Sequence, residues 1–398
     1  MTPVPLLVLG SPLHGDRDRL TADILSRWAF LGERLRPAPA EEVAREPLRF
    51  VLLLTGGTEH ELLRLAEGWR GPLVLLSHPG HNSLPAALEA AAALTERGDR
   101  VELLHLGDRE VPERLEILLR AAALARALRG KRVGIIGKPS PWLVASVPEL
   151  PVLEERLGLS FVEIPLERVE PLPAGELPAG ERVEPGEEEL RMGAGVYASL
   201  RDIVAMEDLS AFTIACFGLL PRRMTACWAL ARLACEGIPA GCEGDVAALL
   251  ALMLAQALTG GPGFLANPAD IDPKRERMVL AHCTVPLSLV EDYTLRSHFE
   301  SGLGLSVAGR LAKGPYTLVR FGGRRLERGF FVEGSVLPED VGREDLCRTQ
   351  VVFKAPKGAL RKLLREPLGN HHVLIPGHHR AALEAFHSLF LSEGLHSE

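Results

Sequence analysis

The chain of 398 residues carries 45 basic and 52 acidic side chains, a formal charge of -7 that excludes any general attraction to nucleic acid or to an anionic membrane surface. Its length exceeds what one hydrophobic core supports, so two or three domains are expected, and its 46% apolar and 24% charged residues are those of a soluble globular protein that handles small molecules. Six cysteines (Cys216, Cys227, Cys235, Cys242, Cys283, Cys347) form no C-x-x-C pair, no signal peptide precedes the first strand, and no segment reaches the ~18 apolar residues of a membrane span, which together predict free thiols in a reducing cytoplasm.

The opening VPLLVLGSP is a short apolar run closed by Gly, Ser and Pro, as in a buried parallel strand that feeds a loop. A helical stretch over 19–35 follows. LRFVLLLTGGTEH then gives a second strand, GPLVLLS a third with a polar loop (78–83) and an Ala-rich helix behind it, and DRVELLHLG a fourth. Strands alternating with helices across Gly-rich turns predict a doubly wound parallel sheet with a ligand crevice beyond the strand C-termini. No G-x-G-x-x-G follows any strand, which argues against a dinucleotide site. In the polar loop, Asn82 or Ser83 is suited to cap the helix beginning near Leu84, although such loops also bind ligands.

A Leu/Ala-faced helix over 112–128 ends at Gly130 and Lys131, which reads as a domain junction. KRVGIIGKPSPWLVA restarts the strand-loop pattern. Its Gly137-Lys138-Pro139-Ser140 lacks Walker spacing, and Pro139 removes an amide donor, so no phosphate loop is expected. Residues 167–189, rich in Pro, Gly and Glu, read as an exposed excursion. A helix over 193–208, a strand over 211–217 and a helix over 225–235 come next, with Arg222 and Arg223 as surface arginines or, alternatively, oxyanion binders.

Residues 237–282 organise the rest. Glu243 and Asp245 stand just before the apolar helix 246–258, where a carboxylate meets the positive end of the macrodipole. One carboxylate suffices for a cap, and a second adds repulsion unless a cation lies between them, so cap and cation site stand as equal alternatives. Beyond His282 apolar and polar residues alternate between Gly, Pro and Asp turns, predicting antiparallel strands in a small barrel or sandwich, with a terminal helix over 379–391 packed back on it. The expected plan is α/β: two doubly wound, Rossmann-like parallel-sheet domains (1–129 and 130–284), then a β-rich, barrel-like domain (285–398).

Glu243-Gly244-Asp245, the Ala/Leu-rich helix, the Gly-Pro turn and the strand ending Ala281-His282-Cys283 resemble the L-fucose and L-arabinose isomerase family. SHFESGLGLSVAGRLAKGPYTLVRF resembles the metal-histidine segment of L-arabinose isomerases, with His298 at the ligand position. Gly369-Asn370-His371-His372 resembles that family's Gly-Ala-His-His, whose second histidine binds the metal. The resemblance implies a cytoplasmic homo-oligomer that converts a small-molecule sugar between aldose and ketose, with Mn2+ as cofactor and Mg2+ or Co2+ as alternatives. In such chemistry a divalent metal stabilises an enediolate while carboxylates remove and return the proton.

On this reading Glu243, Asp245 and Asp270 are the catalytic carboxylates, Glu243, His298 and His372 hold the metal, and His282, Asn267 and His371 face the substrate. Strand alternation sets His371 opposite to His372, so the two are not expected in one ligand set. One departure stands out. L-arabinose isomerases carry Phe-Met-Glu-Asp with a metal-binding glutamate where this chain has Phe264-Leu265-Ala266-Asn267, and Cys283-Thr284-Val285 occupies the place of a second family glutamate. Asn267 cannot shuttle a proton, so Asp270 or Asp272 is the expected replacement from a shifted turn. The alternative function is a non-catalytic sugar-binding or regulatory protein on the same fold.

Overall fold

In the computed structural model, which describes residues 2–69, 71–173 and 175–393, five N-terminal strands form one all-parallel sheet. They are β1 (Val4–Leu9), β2 (Leu35–Pro37), β3 (Arg49–Leu53), β4 (Leu73–Ser77) and β5 (Val101–His105), in the order β2-β1-β3-β4-β5. β3 and β4 are buried at every position, which is why they read as unbroken apolar runs rather than alternating ones. The expected side-chain cap on the next helix (Ser83–Glu96) is replaced by another arrangement. Asn82 adopts a left-handed backbone without capping, while the buried Ser83 hydroxyl accepts from His78 N at 3.0 Å and donates to Leu53 O, tying the ends of β3 and β4 together.

The chain divides into two compact units, one comprising residues up to Arg126 and those from Ala385 onward, the other Ala127–Glu384. In the first, Arg100 donates to the carbonyls of Leu389 (2.7 Å) and Ser392 (2.6 Å), so the end of the helix Arg380–Phe390 groups there rather than with the β-rich strands. Residues 394–398 of the expected third segment lie outside the described residues.

The second unit begins with β6 (Arg132–Ile136) and β7 (Ser160–Ile164), then the two-residue β8 (Arg182–Val183), β9 (Ala211–Ile214) and β10 (Ala240–Cys242). Four of these make a parallel sheet in the order β10-β9-β6-β7, whereas β8, inside the expected excursion, pairs with a later strand. The chain continues through β11 (Phe264–Asp272), β12 (Arg277–His282), β13 (Val290–Arg296), β14 (Ser306–Leu311), β15 (Gly314–Gly322), β16 (Arg328–Leu337), β17 (Thr349–Lys354) and β18 (His372–Pro376). Six of them close an antiparallel barrel, β11-β12-β17-β16-β15-β18, and β14-β13-β8 form a small separate sheet. Alternate residues such as Met278 and Leu280, Tyr316 and Leu318, Phe330 and Val332, and Val351 and Phe353 share one buried cluster, as the two-residue period of a filled barrel requires. β11 and β12 come from residues assigned by sequence to 130–284, so the β-rich part starts at Phe264. Among the described residues no helix is long and apolar enough to cross a membrane.

The helix Val246–Thr259 links sheet and barrel, lying against β9, β10, β15 and β18. It is buried continuously from Val246 to Ala255, and Gly260 ends it in the left-handed region (φ 71) that an L side chain resists. At its other end Gly244 has φ 77, and a Cβ there would stand 2.6 Å from Pro139 Cα. Gly244→Ala is therefore expected to destabilise the chain by ~1–3 kcal/mol, read as a lower denaturant midpoint at unchanged slope.

Candidate active site

The turn between β10 and this helix carries two buried carboxylates, Glu243 and Asp245. Glu243 itself has φ 61, an uncommon backbone for a non-glycine residue, and its carbonyl accepts from Ser140 N at 2.8 Å. The Gly137–Ser140 segment thus serves to hold this turn. Asp245 is the helix cap, with Oδ1 accepting from Ala248 N at 2.8 Å. Its other oxygen accepts from Arg320 Nη1 and from His371 Nδ1, each at 3.0 Å. Asp245 is thus the helix cap and at the same time the charge partner of Arg320 and His371.

His371 is the centre of the arrangement. Asp245 only accepts, so His371 Nδ1 carries a hydrogen, and Nε2 lies 3.6 Å from Glu243 Oε1 with no hydrogen-bond partner. Burial opposes a charge on this ring, but the two carboxylates outweigh it and raise its pKa to about 9. In return, although burial raises both acids, His371 holds Glu243 and Asp245 below their usual ranges, helped by Trp142 at Glu243 and by Arg320 at Asp245. Trp142 is half exposed, and its indole N–H donates to Glu243 Oε2 at 2.6 Å, leaving Oε1 as the less engaged oxygen.

His282, at the end of β12, stands edge-on to His371 with ring centroids 5.5 Å apart. Its Nδ1 meets Thr284 Oγ1 at 2.8 Å, and burial, then the charge of His371, lower its pKa to about 3, so it is neutral. Donor atoms of Cys242, Glu243 and His282 lie within 4.8 Å of one another, all buried. Cys242, Glu243 and the neutral His282 are a donor group that could hold a divalent cation, and His371, oriented by Asp245, joins them only after its Nε2 loses a proton.

Other expected residues fall elsewhere. His372 faces away from the acidic pair: its Nδ1 donates to Asn370 O at 2.8 Å, its ring sits edge-on to Phe330, and burial lowers its pKa to about 4. Alternation along β18 does separate the two histidines, but the one turned toward Glu243 is His371 and not His372, the reverse of the orientation expected for a metal-holding His372. His298 is buried in its turn, bonded through Nδ1 to Ser301 Oγ at 3.0 Å and edge-on to Phe217. It does not join the three-donor group, although Glu243's charge reaches it.

Asp270 is exposed on β11 and pairs with Arg343 at 3.4 Å, and Asp272 accepts from the amides of Lys274 and Arg275 in a turn, so neither replaces the acid missing at Asn267. The register of β11 on β18, Ala266 opposite His372, carried one residue further sets Asn267 opposite His371. Its Oδ1 is buried without a partner. Asp245, fully buried and engaged on both oxygens, is a positioning residue closed to any substrate. Arg222, finally, donates to Val169 O at 3.1 Å and binds backbone rather than an oxyanion.

Sequence reasoning missed Arg320, Trp142, Cys242 and Glu300. Arg320 left one signal, a lone charge inside the apolar strand YTLVRFGG, and a buried charge demands a partner. Glu300, in the turn after His298, has its carboxyl raised by partial burial and by the charge of Glu243, which sets the two glutamates apart in proton affinity. No protein-family model matches this chain, and no curated protein matches it.

Proposed function

We propose that this chain is a metal-dependent aldose-ketose isomerase acting on a sugar, built as two doubly wound α/β domains and a β-rich domain, cytoplasmic, and working as a homo-oligomer. The observation that carries the reading is the line Asp245, His371, Glu243: a buried carboxylate bonded to one imidazole nitrogen, with the other nitrogen unpartnered 3.6 Å from a second carboxylate. Glu243, His371 and His282 would hold the metal. When bound, the cation supplies the positive charge that makes the sugar's C–H acidic.

The chain's own residues do the rest. Asp245 fixes the tautomer and direction of His371, and Arg320 keeps Asp245 ionised. Trp142 holds one oxygen of Glu243, so the free oxygen takes the proton as base, and Glu300, with its raised pKa, is the carboxyl that returns it. Carboxylate and imidazole donors suit Mn2+, with Mg2+ or Co2+ as alternatives, and the bond to Cys216, then burial, push the Cys242 thiol up, away from the thiolate form that a metal takes.

The second reading, a sugar-binding or regulatory protein, draws its support from Asn267, which has no proton to give. Screening pentoses, hexoses and 6-deoxyhexoses with Mn2+ for ketose formation separates the two. Glu243→Gln keeps the shape and removes the charge, so turnover is expected to fall at least ~100-fold, beside a smaller loss of apo stability because His371 loses one of its two carboxylate partners. Sugar-induced stabilisation without turnover in the wild type would favour the binder.

A further inference from the structure

We propose that Cys216 and Cys242 form an oxidant-sensitive thiol pair that closes to a disulfide directly beside Glu243. Their sulfurs are 3.0 Å apart and both residues are buried, although 26 positions separate them in the sequence. Cys242 ends β10, and Cys216 opens the 3-10 turn two residues past the end of the neighbouring parallel strand β9, so adjacent strands bring the two together. A disulfide of about 2.0 Å needs the sulfurs to move together by only about 1 Å.

The two sulfurs differ in their surroundings. Cys216 lines a small cavity with Phe217, Leu220, Cys227 and His298, and Phe217 and Leu220 are partly exposed at its rim, whereas Cys242 does not line it. Hydrogen peroxide, a small two-electron thiol oxidant, is the oxidant class proposed. The Cys216 sulfur attacks one peroxide oxygen, the O–O bond breaks, and water leaves, giving a sulfenic acid. The Cys242 sulfur then attacks the Cys216 sulfur, the S–O bond breaks, a second water leaves, and the S–S bond forms. Two electrons pass from the two thiols to peroxide, and their two protons leave in the waters.

The position gives the bond its consequence. Cys242 is joined to Glu243 in its left-handed conformation, and Cys216 to Phe217, whose ring packs on Trp142 (4.9 Å) and His298 (5.5 Å). Closure therefore pulls on the backbone of Glu243 and on the aromatic that supports its hydrogen-bond donor. It also removes the Cys242 thiol from the group of donors around Glu243.

Exposure alone points to different cysteines, since Cys235 and Cys347 are the less buried ones. The test is peroxide treatment of the native full chain, alkylation of remaining thiols, and mass mapping of the peptides. The expected result is loss of two of the six thiols as a Cys216–Cys242 cross-link that dithiothreitol reverses, while Cys216→Ser keeps its five thiols through the same treatment. Oxidation at Cys235, a Cys283–Cys347 cross-link with Cys216 and Cys242 still alkylated, or sulfinic acid at Cys216 without a cross-link would each overturn it. The map of the unmodified chain decides the matter even if the variant fails to fold, and none of it depends on isomerase activity.

Discussion

Replacing Arg320 by alanine is expected to destabilise the apo chain by ~3–5 kcal/mol, because it strips one cation from a charge cluster that has no access to water. Both Arg320 and Asp245 side chains are fully buried. The guanidinium donates to Asp245 Oδ2 and the His371 carbonyl at 3.0 Å and to Ser146 Oγ at 2.7 Å, so alanine takes a donor from three acceptors and leaves a cavity. Gly369 belongs to the same arrangement: a Cβ there would lie 2.4 Å from Arg320 Nη2. The measurement is denaturant unfolding of wild type, Arg320→Ala, Arg320→Met, Asp245→Asn and the double variant Arg320→Met with Asp245→Asn. Restoring shape and removing both charges should recover part of the loss, so the double variant is expected to be more stable than the sum of the singles predicts. Strict additivity would mean that the two residues act independently and that Asp245 draws its ionisation from His371 alone.

Such residues show which parts of the molecule local pattern could reveal. The parallel strands were legible because β3, β4 and β6 are short, β-branched or Leu-rich and closed by Gly, and the barrel because apolar residues alternate along β15 to β17. The barrel's start was not. β11 reads FLANPADID, with proline and two acids, and it is a strand only because β12 and β18 pair with it across a register shift. Likewise Glu243 and Asp245 were visible as an acidic pair, but nothing local distinguishes His371 from His372. Which one meets the pair depends on how β18 sits in the barrel, a tertiary fact. Arg320 to Asp245 and Cys216 to Cys242 are long-range partners, and single-chain spacing carries no record of them.

The stability of the apo chain is expected to peak near pH 6.5 and to fall on both sides, for reasons that lie in three histidines of this cluster and its neighbour strand. His371 has a folded pKa raised from 6.5 to about 9, so its contribution is fully present below pH 6.5 and is lost as the pH rises to about 9. Over that interval the unfolded chain holds one proton fewer, a slope of about -1.4 kcal/mol per pH unit and a total on the order of 3 kcal/mol. His282 and His372 behave oppositely. Their folded pKa values are depressed to about 3 and about 4, so below pH 6.5 the unfolded state takes up protons that the folded state refuses, and stability falls with decreasing pH. Asp245 and Glu243, both held low, add to the acid limb only once the pH drops into the carboxylate range. Unfolding midpoints taken every half unit from pH 4.5 to 9.5 in chelator test the shape. His371→Gln should flatten the alkaline limb and leave the acid limb steep, whereas His282→Gln should make the acid limb shallower, with the His372 part remaining, and leave the alkaline limb in place. An alkaline limb that survives His371→Gln would mean that the ring is neutral between its two carboxylates, and the unpartnered Nε2 would then carry a lone pair ready for a cation at neutral pH without first losing a proton.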